Sequence, residues 1–479
     1  MATGTTPPEA MAAGERAAIG AGGPTARTAT ITPTSRNSGR NTDMPRSGII
    51  LAAALAVLAG PITGASAAAQ ETGQTITLDR AIELALINNP QLAQSNASLI
   101  NAGTTRQRAW GSFLPNVSMS SGSSLSSSQR FDQNTQRIVT GSSTSYSAGL
   151  SASYQLFQGG RKFHEMDRTA TAYQEAEARL HTQRFSVLLQ TRTLFLNALR
   201  QADLVSIQEA SLERTEQNHS MSVSLLAAGE ATQSDTLRTL LDVSNGQQSI
   251  LQARNQLRAA QWSLGRQVGV SGPVVPVAPE EGLDPAPLRL SEAEIIALAE
   301  SASPAVRAAE AATRLAQIGV DNSRSSYLPN LSMSTRYNWA NQERSFSGGS
   351  TSWGLSLSGS YTLFDGFGRE ANVSQANQTR RVSRLSEEDA RRSVRQEVDA
   401  ALRTLETQVQ AIAIAEESVL VAQEDFRIVR LRYQAGNITI LDVIVSQVAL
   451  EQAEVNLVAA RFDYSIAKAE LESIIGVEL

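Results

Sequence analysis

Part of this sequence occurs twice. The stretch LPNVSMS (Leu114–Ser120) returns as LPNLSMS (Leu328–Ser334), 214 positions later. Farther along, YQLFQG (Tyr154–Gly159) returns as YTLFDG (Tyr361–Gly366), 207 positions later. Self-similarity over such a distance indicates two copies of one structural plan. Because the offset falls by seven between the two motifs, we expect the copies to differ in length there, in a solvent-exposed loop.

The repeat also divides the chain into domains. We predict a first structural repeat over 70–269, a Pro-rich linker over 270–290 and a second repeat over 291–479. The five prolines of the linker prevent a regular helix. Residues 44–69 have the basic start, apolar run and small-residue cleavage site of a secretory signal peptide. Since a signal peptide normally begins its chain, we expect 1–43 to be a disordered or non-native extension.

Polar and apolar residues alternate behind each LPN motif. The alternation runs over about 117–157 in the first repeat and about 331–364 in the second, and a period of two predicts one β-hairpin in each. One face carries small polar residues, with Arg336 as its charged side chain. The other face is apolar, with aromatic residues near the strand ends: Tyr146, Tyr154, Tyr337, Trp339, Trp353 and Tyr361. The transitions between strands and helices are predicted at Pro115, Pro329, Gly159 and Gly366.

Such alternation has two explanations. A soluble sheet with one face on a core produces it, and so does a membrane barrel, whose strands need ~9–11 residues and aromatic side chains at the lipid interfaces. Strand length and aromatic positions favour the barrel. Four strands cannot close one, since the smallest barrels have about eight, and an open edge in lipid leaves backbone groups unpaired. The barrel must then be shared between copies of the chain.

Two stretches of the chain contain neither Gly nor Pro over nearly seventy residues. They are 161–228 and 369–435, and each predicts a helix of roughly 100 Å at ~1.5 Å per residue. Helices of this length need partners along their whole length, as in coiled coils. Return helices over 232–264 and 439–475 would supply them. A soluble coiled-coil rod would show the same helical pattern.

The turn between each long helix and its return helix has the same sequence signals. AGEATQSD ends the first long helix and AGNITILD ends the second. A glycine provides the positive φ of a helix C-terminus, and a Thr followed three residues later by Asp forms a capping box. We predict these tips at Gly229, Thr232 and Asp235 in the first repeat, and at Gly436, Thr439 and Asp442 in the second.

Composition excludes several classes of function. The chain has no cysteine, so it has neither disulfides nor lipid attachment through cysteine. Its formal net charge is −5, which argues against a nucleic-acid partner. The histidines His164, His181 and His219 lie far apart without acidic clusters, so we expect no metal, no cofactor and no enzymatic activity.

Each repeat has the order helix, hairpin, long helix, Gly turn and helix, and the two repeats follow a signal peptide. Together with the LPN, Tyr-x-Leu-Phe-x-Gly and Ala-Gly-x-x-Thr motifs, this order resembles the TolC family of outer-membrane channels. The resemblance covers about 75–477 and implies a mainly α fold, a long coiled-coil tunnel, plus a membrane β-barrel shared by three protomers with four strands each. It implies a homotrimer in the outer membrane of a Gram-negative bacterium, in contact with outer-membrane lipid, with the helices in the periplasm. It also implies a periplasmic adaptor protein and an inner-membrane ABC or resistance-nodulation-division transporter as partners, for efflux of small molecules or type I protein secretion.

The resemblance further implies a gate at the helical tips. In the family, an Asp of the first half faces a Tyr and an Arg of the second half. The Asp and the Tyr correspond to Asp235 and Tyr433, whereas the Arg position carries Asn437, which removes an ion pair. An acidic ring in the bore would be formed by Asp442, and a second ring one turn later falls on Val445. We therefore expect a single carboxylate ring and weaker block by cations.

One alternative remains from the residues alone. A non-pore coiled-coil scaffold in the periplasm or on the surface, with short sheets, would have the same helices and hairpins. The strand residues distinguish the two, because a duct places Leu150 and Leu357 in lipid and needs detergent for extraction, whereas a scaffold is soluble without it.

Overall fold

The structure is a computed structural model that describes residues 74–134, 136–278, 285, 288, 290–345 and 347–479. The extension expected at 1–43 and the signal peptide expected at 44–69 lie outside the described residues, and so does much of the predicted linker, including 279–284.

Both repeats contain the same succession of elements. The first consists of β1 (Gln74–Ile76), α1 (Leu78–Asn88), α2 (Pro90–Gly111), β2 (Asn116–Asp132), β3 (Arg137–Gln158), α3 (Arg161–Ala228) and α4 (Gln233–Val268). The second consists of β4 (Val274–Pro276), α5 (Glu292–Ala302), α6 (Pro304–Arg324), β5 (Asn330–Asn341), β6 (Ser350–Ser360), α7 (Gly368–Gln434) and α8 (Ile440–Ile475). A short 3₁₀ turn at Ser325–Tyr327 follows α6.

The helices form two antiparallel hairpins that pack side by side. Helix α3 pairs with α4, α7 pairs with α8, and the two hairpins meet where α3 contacts α8. One apolar core, at this meeting point, contains Phe195 of α3, Leu264 of α4 and Phe462 of α8. A second core joins α7 and α8 and includes Val398 and Leu471. Burial of these side chains at ~1.5–3 kcal/mol each provides the driving force that helices of such length need.

Helix α8 is, among the described helices, long and apolar enough to cross a membrane by length and composition. One side of this helix lies in the cores that it shares with α3 and α7, whereas Leu441, Val445 and Val448 near its start are exposed.

Four strands form one antiparallel sheet in the order β2-β3-β5-β6. Within each hairpin the register is the same, since Asn116 pairs with Ser153 and Asn330 pairs with Ser360. The two hairpins join where β3 pairs with β5, from Tyr146 to Gln158. A separate pair of short parallel strands, β1 and β4, links the starts of the two repeats.

The length difference between the repeats lies mainly in the strands. We predicted it in a loop, but β2 and β3 stay paired as far as Asp132 and Arg137, whereas β5 and β6 stop pairing at Ala340 and Ser350. The first hairpin thus projects beyond the sheet as a two-stranded extension. Two paired strands hydrogen-bond their backbone N–H and C=O groups to each other, so additional residues can extend a hairpin instead of its loop.

The last strand is shorter than its sequence pattern predicts. The alternation continues to about residue 364, but β6 ends at Ser360. In the first repeat the equivalent segment stays in a strand because β5 pairs with it through Gln158. The second copy has no such neighbour among the described residues of the chain, and a strand without pairing partners is not stable.

Candidate channel wall and helical tips

The sheet has one apolar and one polar face, because its register aligns residues of the same kind across all four strands. Leu150 pairs with Tyr337, and Tyr337 pairs with Trp353. Trp353 is 79% exposed and Met119 is 78% exposed. Large apolar side chains that lie side by side and exposed on one face mark contact with lipid or with another protein.

The apolar face has nearly the height of the apolar band of outer-membrane barrels, which is ~25 Å. Tyr146 and Tyr154 lie on this face eight residues apart along β3. At ~3.3 Å per residue the two rings are about 26 Å apart along the strand, and a strand tilt of ~40° leaves about 20 Å across the membrane. Aromatic residues at both borders of such a band are typical of membrane barrels.

The polar face is lined by small residues. Ser118 Oγ and Ser151 Oγ lie 2.8 Å apart, and Ser334 Oγ and Ser356 Oγ lie 2.8 Å apart. Arg336 pairs in register with Ser151 on one side and with Gly354 on the other. Since hydroxyl groups and glycine leave space above the sheet, this face is suited to line a water-filled lumen.

At the far end of the helices, both tips have the predicted caps. Gly229 and Gly436 have φ of 81° and 70°, a conformation that glycine adopts without strain. Asp235 accepts hydrogen bonds from the backbone N–H of Thr232 at 3.0 Å and from its hydroxyl at 2.8 Å. Asp442 accepts the same two bonds from Thr439, at 3.0 and 2.8 Å.

Asp442, the carboxylate at the tip of the second repeat, is fully exposed. Its pKa is lowered from the ordinary 3.8 by the hydrogen bonds from the side chain and backbone of Thr439. The positive charge of Arg432 lowers this pKa further. Asn437 is exposed in the turn, and its backbone N–H donates to the carbonyl of Arg432 at 3.0 Å. Val445, one turn beyond Asp442, is 61% exposed.

Tyr433 lies in the small core that closes the tips, with Phe426, Ile440 and Leu450. It is 5% exposed. Burial raises the pKa of its phenol above 10, and the negative charge of Asp235 raises it further. The hydroxyl of Ser222 lies close enough to lower this pKa in part, yet neither hydroxyl has a well-formed hydrogen bond within the described chain. Met221 and Leu225 of α3 pack against this core, so Tyr433 and the cap formed by Asp235 belong to neighbouring tips of one protomer.

Sequence reasoning missed a polar seam between the two helical hairpins near the tips. We define it by Ser211, Thr215 and Asn218 of α3, which face Gln447 and Glu451 of α8. Asn218 Nδ2 donates to Gln447 Oε1 at 2.7 Å, and Gln447 Nε2 donates to Thr215 Oγ1 at 2.7 Å. Ser211 Oγ donates to Glu451 Oε2 at 2.6 Å. The available signal was the spacing of Ser211, Thr215 and Asn218, which puts three polar residues on one face of α3.

Among the residues that the structure describes, no group of His, Asp and Glu has an arrangement that could hold a metal ion. The predicted transition residues lie between elements: Pro115 and Pro329 directly precede β2 and β5, Gly159 follows β3, and Gly366 has a φ of 66° before α7.

The family model for outer membrane efflux proteins matches residues 81–270 and 295–477. The chain belongs to this family. Outer membrane protein TolC of Vibrio cholerae is 20% identical over 401 residues, which cover 81% of this chain and 88% of that protein. Pyoverdine export outer membrane protein OpmQ of Pseudomonas putida is 24% identical over 394 residues, covering 79% and 81%. The crystal structure of CusC, a transmembrane channel, superimposes with a TM-score of 0.73 at 18% identity, covering 84% of this chain and 92% of that one.

Membership of the outer membrane efflux protein family decides between the two functions considered from the sequence, an outer-membrane duct and a non-pore coiled-coil scaffold. The chain is an exit duct of export systems in the outer membrane of a Gram-negative bacterium, and the prediction of a TolC-like fold, a helical tunnel with a barrel part, is confirmed. The alternative of a non-pore scaffold is wrong. Members of the family are channels, not known as enzymes, and they work as trimers with adaptors and inner-membrane pumps.

Proposed function

We propose that three copies of this chain form a passive duct across the outer membrane. The observation that carries this proposal is the four-stranded sheet, whose apolar face, small polar face and two edges without a partner strand among the described residues are those of an incomplete barrel. An open edge in lipid leaves backbone N–H and C=O groups unpaired, at several kcal/mol each. Copies of the chain satisfy those groups by closing the barrel.

Three copies give twelve strands. Barrels of about eight strands are filled by their own side chains, and larger barrels leave a channel. The small side chains of the polar face, such as Ser151 and Gly354, keep that channel open. Its outer wall contacts outer-membrane lipid.

The helical tips form the gate of this duct, in the periplasm. We place Asp235 and Tyr433 in this gate, and the packing of Met221 and Leu225 of α3 against the core around Tyr433 supports that placement. Asn437, at the position where the family has Arg, adds no charge to this gate. Asp442, exposed beside the turn, forms the single carboxylate ring of the bore, since Val445 cannot form a second.

A periplasmic adaptor and an inner-membrane transporter, of the ABC or resistance-nodulation-division type, open the gate and supply energy and cargo. The cargo consists of small molecules, proteins of type I secretion, or both. The relative named for pyoverdine export supports small-molecule cargo.

Membrane fractionation and mass measurement test the assembly. The protein should fractionate with the outer membrane, require detergent for extraction and have the mass of a trimer in detergent by light scattering. A monomer that stays soluble without detergent would contradict the proposal.

A further inference from the structure

A cavity of about 180 Å³ lies beside the polar seam, where α3, α4 and α8 meet. Its lining includes Thr215 and Asn218 of α3, Thr239 and Asp242 of α4, and Glu451 of α8. The three helices belong to both helical hairpins, and one chain supplies all of them. A cavity of this size has room for an ion together with water molecules.

The hydrogen bonds of the polar seam fix the orientation of its two amide side chains. The backbone carbonyl of Ser211 can only accept, so the group of Gln447 that faces it at 3.2 Å is the donor Nε2. Gln447 Oε1 therefore faces Asn218, which donates to it from Nδ2 at 2.7 Å. The other end of this amide, Asn218 Oδ1, points away from Gln447.

Two acceptor atoms of the cavity lining have no partner within the described part of the chain. One is Asn218 Oδ1, although Asn218 is only 2% exposed, and the other is Asp242 Oδ2, which is also buried. Buried polar atoms are nearly always paired with protein groups or ordered water. Because both atoms are acceptors, the group that pairs with them carries hydrogen-bond donors or positive charge.

The charges around the cavity favour a cation over a neutral molecule. Asp242 and Glu451 contribute two carboxylates to the lining. Glu451 accepts hydrogen bonds from two neutral groups, Gln208 Nε2 at 2.8 Å and Ser211 Oγ at 2.6 Å. Burial raises the pKa of Asp242, and the positive charge of Arg238 lowers it in part. One positive charge beside two carboxylates leaves a net charge of −1 to be neutralised.

We propose that this cavity binds a monovalent metal cation, Na⁺ or K⁺, through Asp242 Oδ2, Asn218 Oδ1 and the carboxylate of Glu451. Carboxylate, amide carbonyl and water oxygens are the ligands that hard cations prefer. The described lining has neither a histidine nor a third carboxylate, so it is not one of the clusters that hold a divalent ion. The ion links α4 of the first hairpin to α8 of the second and thereby stabilises the packing of the hairpins.

Thermal unfolding of the detergent-solubilised protein tests this site. The melting temperature is compared in NaCl, KCl and choline chloride at equal ionic strength, because choline screens charges but its methylated nitrogen presents no bare ion to the oxygens. We expect NaCl or KCl to raise the melting temperature to a plateau above the value in choline chloride. The two salts together show which of the two ions binds more tightly.

A pair of matched variants assigns the effect to the cavity. Asp242→Asn keeps the size of the side chain and removes its charge, and it should raise the half-maximal cation concentration by about 10–100-fold, as loss of a supporting group does at other metal sites. Glu216→Gln removes a carboxylate from an exposed position of α3 outside the cavity, and it should respond to the salts like the wild type.

Amide hydrogen exchange gives a second readout that needs only the wild type. Na⁺ or K⁺ should slow exchange over 208–218 and 444–451 relative to choline. Equal melting temperatures in the three salts, a cation effect that Asp242→Asn retains in full, or slowing confined to other parts of the chain would each overturn the proposal. The site lies within one chain, so these results are independent of whether the protein forms the proposed trimeric duct.

Discussion

Burial raises the pKa of the Tyr433 phenol, and the negative charge of Asp235 raises it further, although the two residues belong to different repeats and lie 198 positions apart in sequence. One stands at the start of α4 and the other at the end of α7. The core around Tyr433 includes Met221 and Leu225 of α3, so the tips of the two helical hairpins pack against each other, which is where a tunnel made of such hairpins would have to open.

Removing either group should loosen the closed tips. We expect single-channel conductance to rise in Asp235→Ala and in Tyr433→Phe, because each variant removes one of the two polar groups of the proposed gate. The measurement is conductance of purified protein in planar bilayers. Glu294→Ala is the matched control, since Glu294 forms an equivalent capping box with Ser291 at the start of α5, away from the tips. Equal conductance in all three variants and the wild type would show that Asp235 acts only as a helix cap and has no role in the gate.

Asp442 should make the channel sensitive to multivalent cations. Asp442→Asn is expected to abolish block by divalent or trivalent cations added on the side of the tips, because it removes the charge and keeps a hydrogen-bond acceptor for Thr439. Val445→Asp should strengthen the block by adding a second ring. If Asp442→Asn left the block unchanged, the carboxylate would have no place in the bore.

The block by cations should also depend on pH in a defined direction. The pKa of Asp442 is lowered from 3.8 in the folded protein, so the carboxylate remains charged at a pH where a free Asp is half protonated. Block should persist as the pH falls to about 4 and disappear only below it. By the same linkage, the stabilising contribution of this cap is complete above the unfolded pKa and is lost as the pH falls through the folded one. Loss of block near pH 6 would indicate another titrating group.

Arg336 should set the charge preference of the barrel part. It is the charged residue on the polar face where all four strands pair, and three copies would place three guanidinium groups at one height of the lumen. Arg336→Gln should shift the reversal potential in a KCl gradient towards cation preference, whereas Arg336→Lys should leave it near the wild-type value. An unchanged reversal potential in Arg336→Gln would place this side chain outside the conducting path.

Gly265 should be required for packing in the helical part. A Cβ added to this residue of α4 would lie 2.1 Å from the carbonyl oxygen of Gly272, a distance that forces the backbone to move. Gly265→Ala should destabilise the protein by about 1–3 kcal/mol, the usual cost of overpacking. Gly319→Ala in α6 is the control, because open space surrounds that position and alanine favours a helix. Thermal unfolding followed by circular dichroism compares the two.

The repeat made much of the fold predictable from sequence. The offsets of 214 and 207 aligned both hairpins and both helical tips, and the capping boxes at Thr232 and Thr439 followed from local spacing. The end of β6 was not predictable in this way. YTLFDG has the pattern of YQLFQG, but a strand depends on its neighbour, and no strand pairs with YTLFDG among the described residues of the chain.

The polar seam shows another limit of sequence reasoning. Thr215 and Gln447 lie 232 positions apart, and their hydrogen bond depends on how α3 and α8 are rotated against each other. Helical periodicity indicates which residues share a face, but it does not indicate which face meets which helix. The assignment of Asp235 and Tyr433 to one gate came from a family resemblance for the same reason.

The most direct test of a passive trimeric duct is planar-bilayer conductance of the purified wild-type protein across a range of voltages. The account predicts small, stable and uniform steps in conductance without any added energy source. A water-filled pore that is narrowed at its tips would produce such steps. Well-folded trimers that insert into the bilayer and yield no steps, in the wild type and in Asp235→Ala alike, would contradict it.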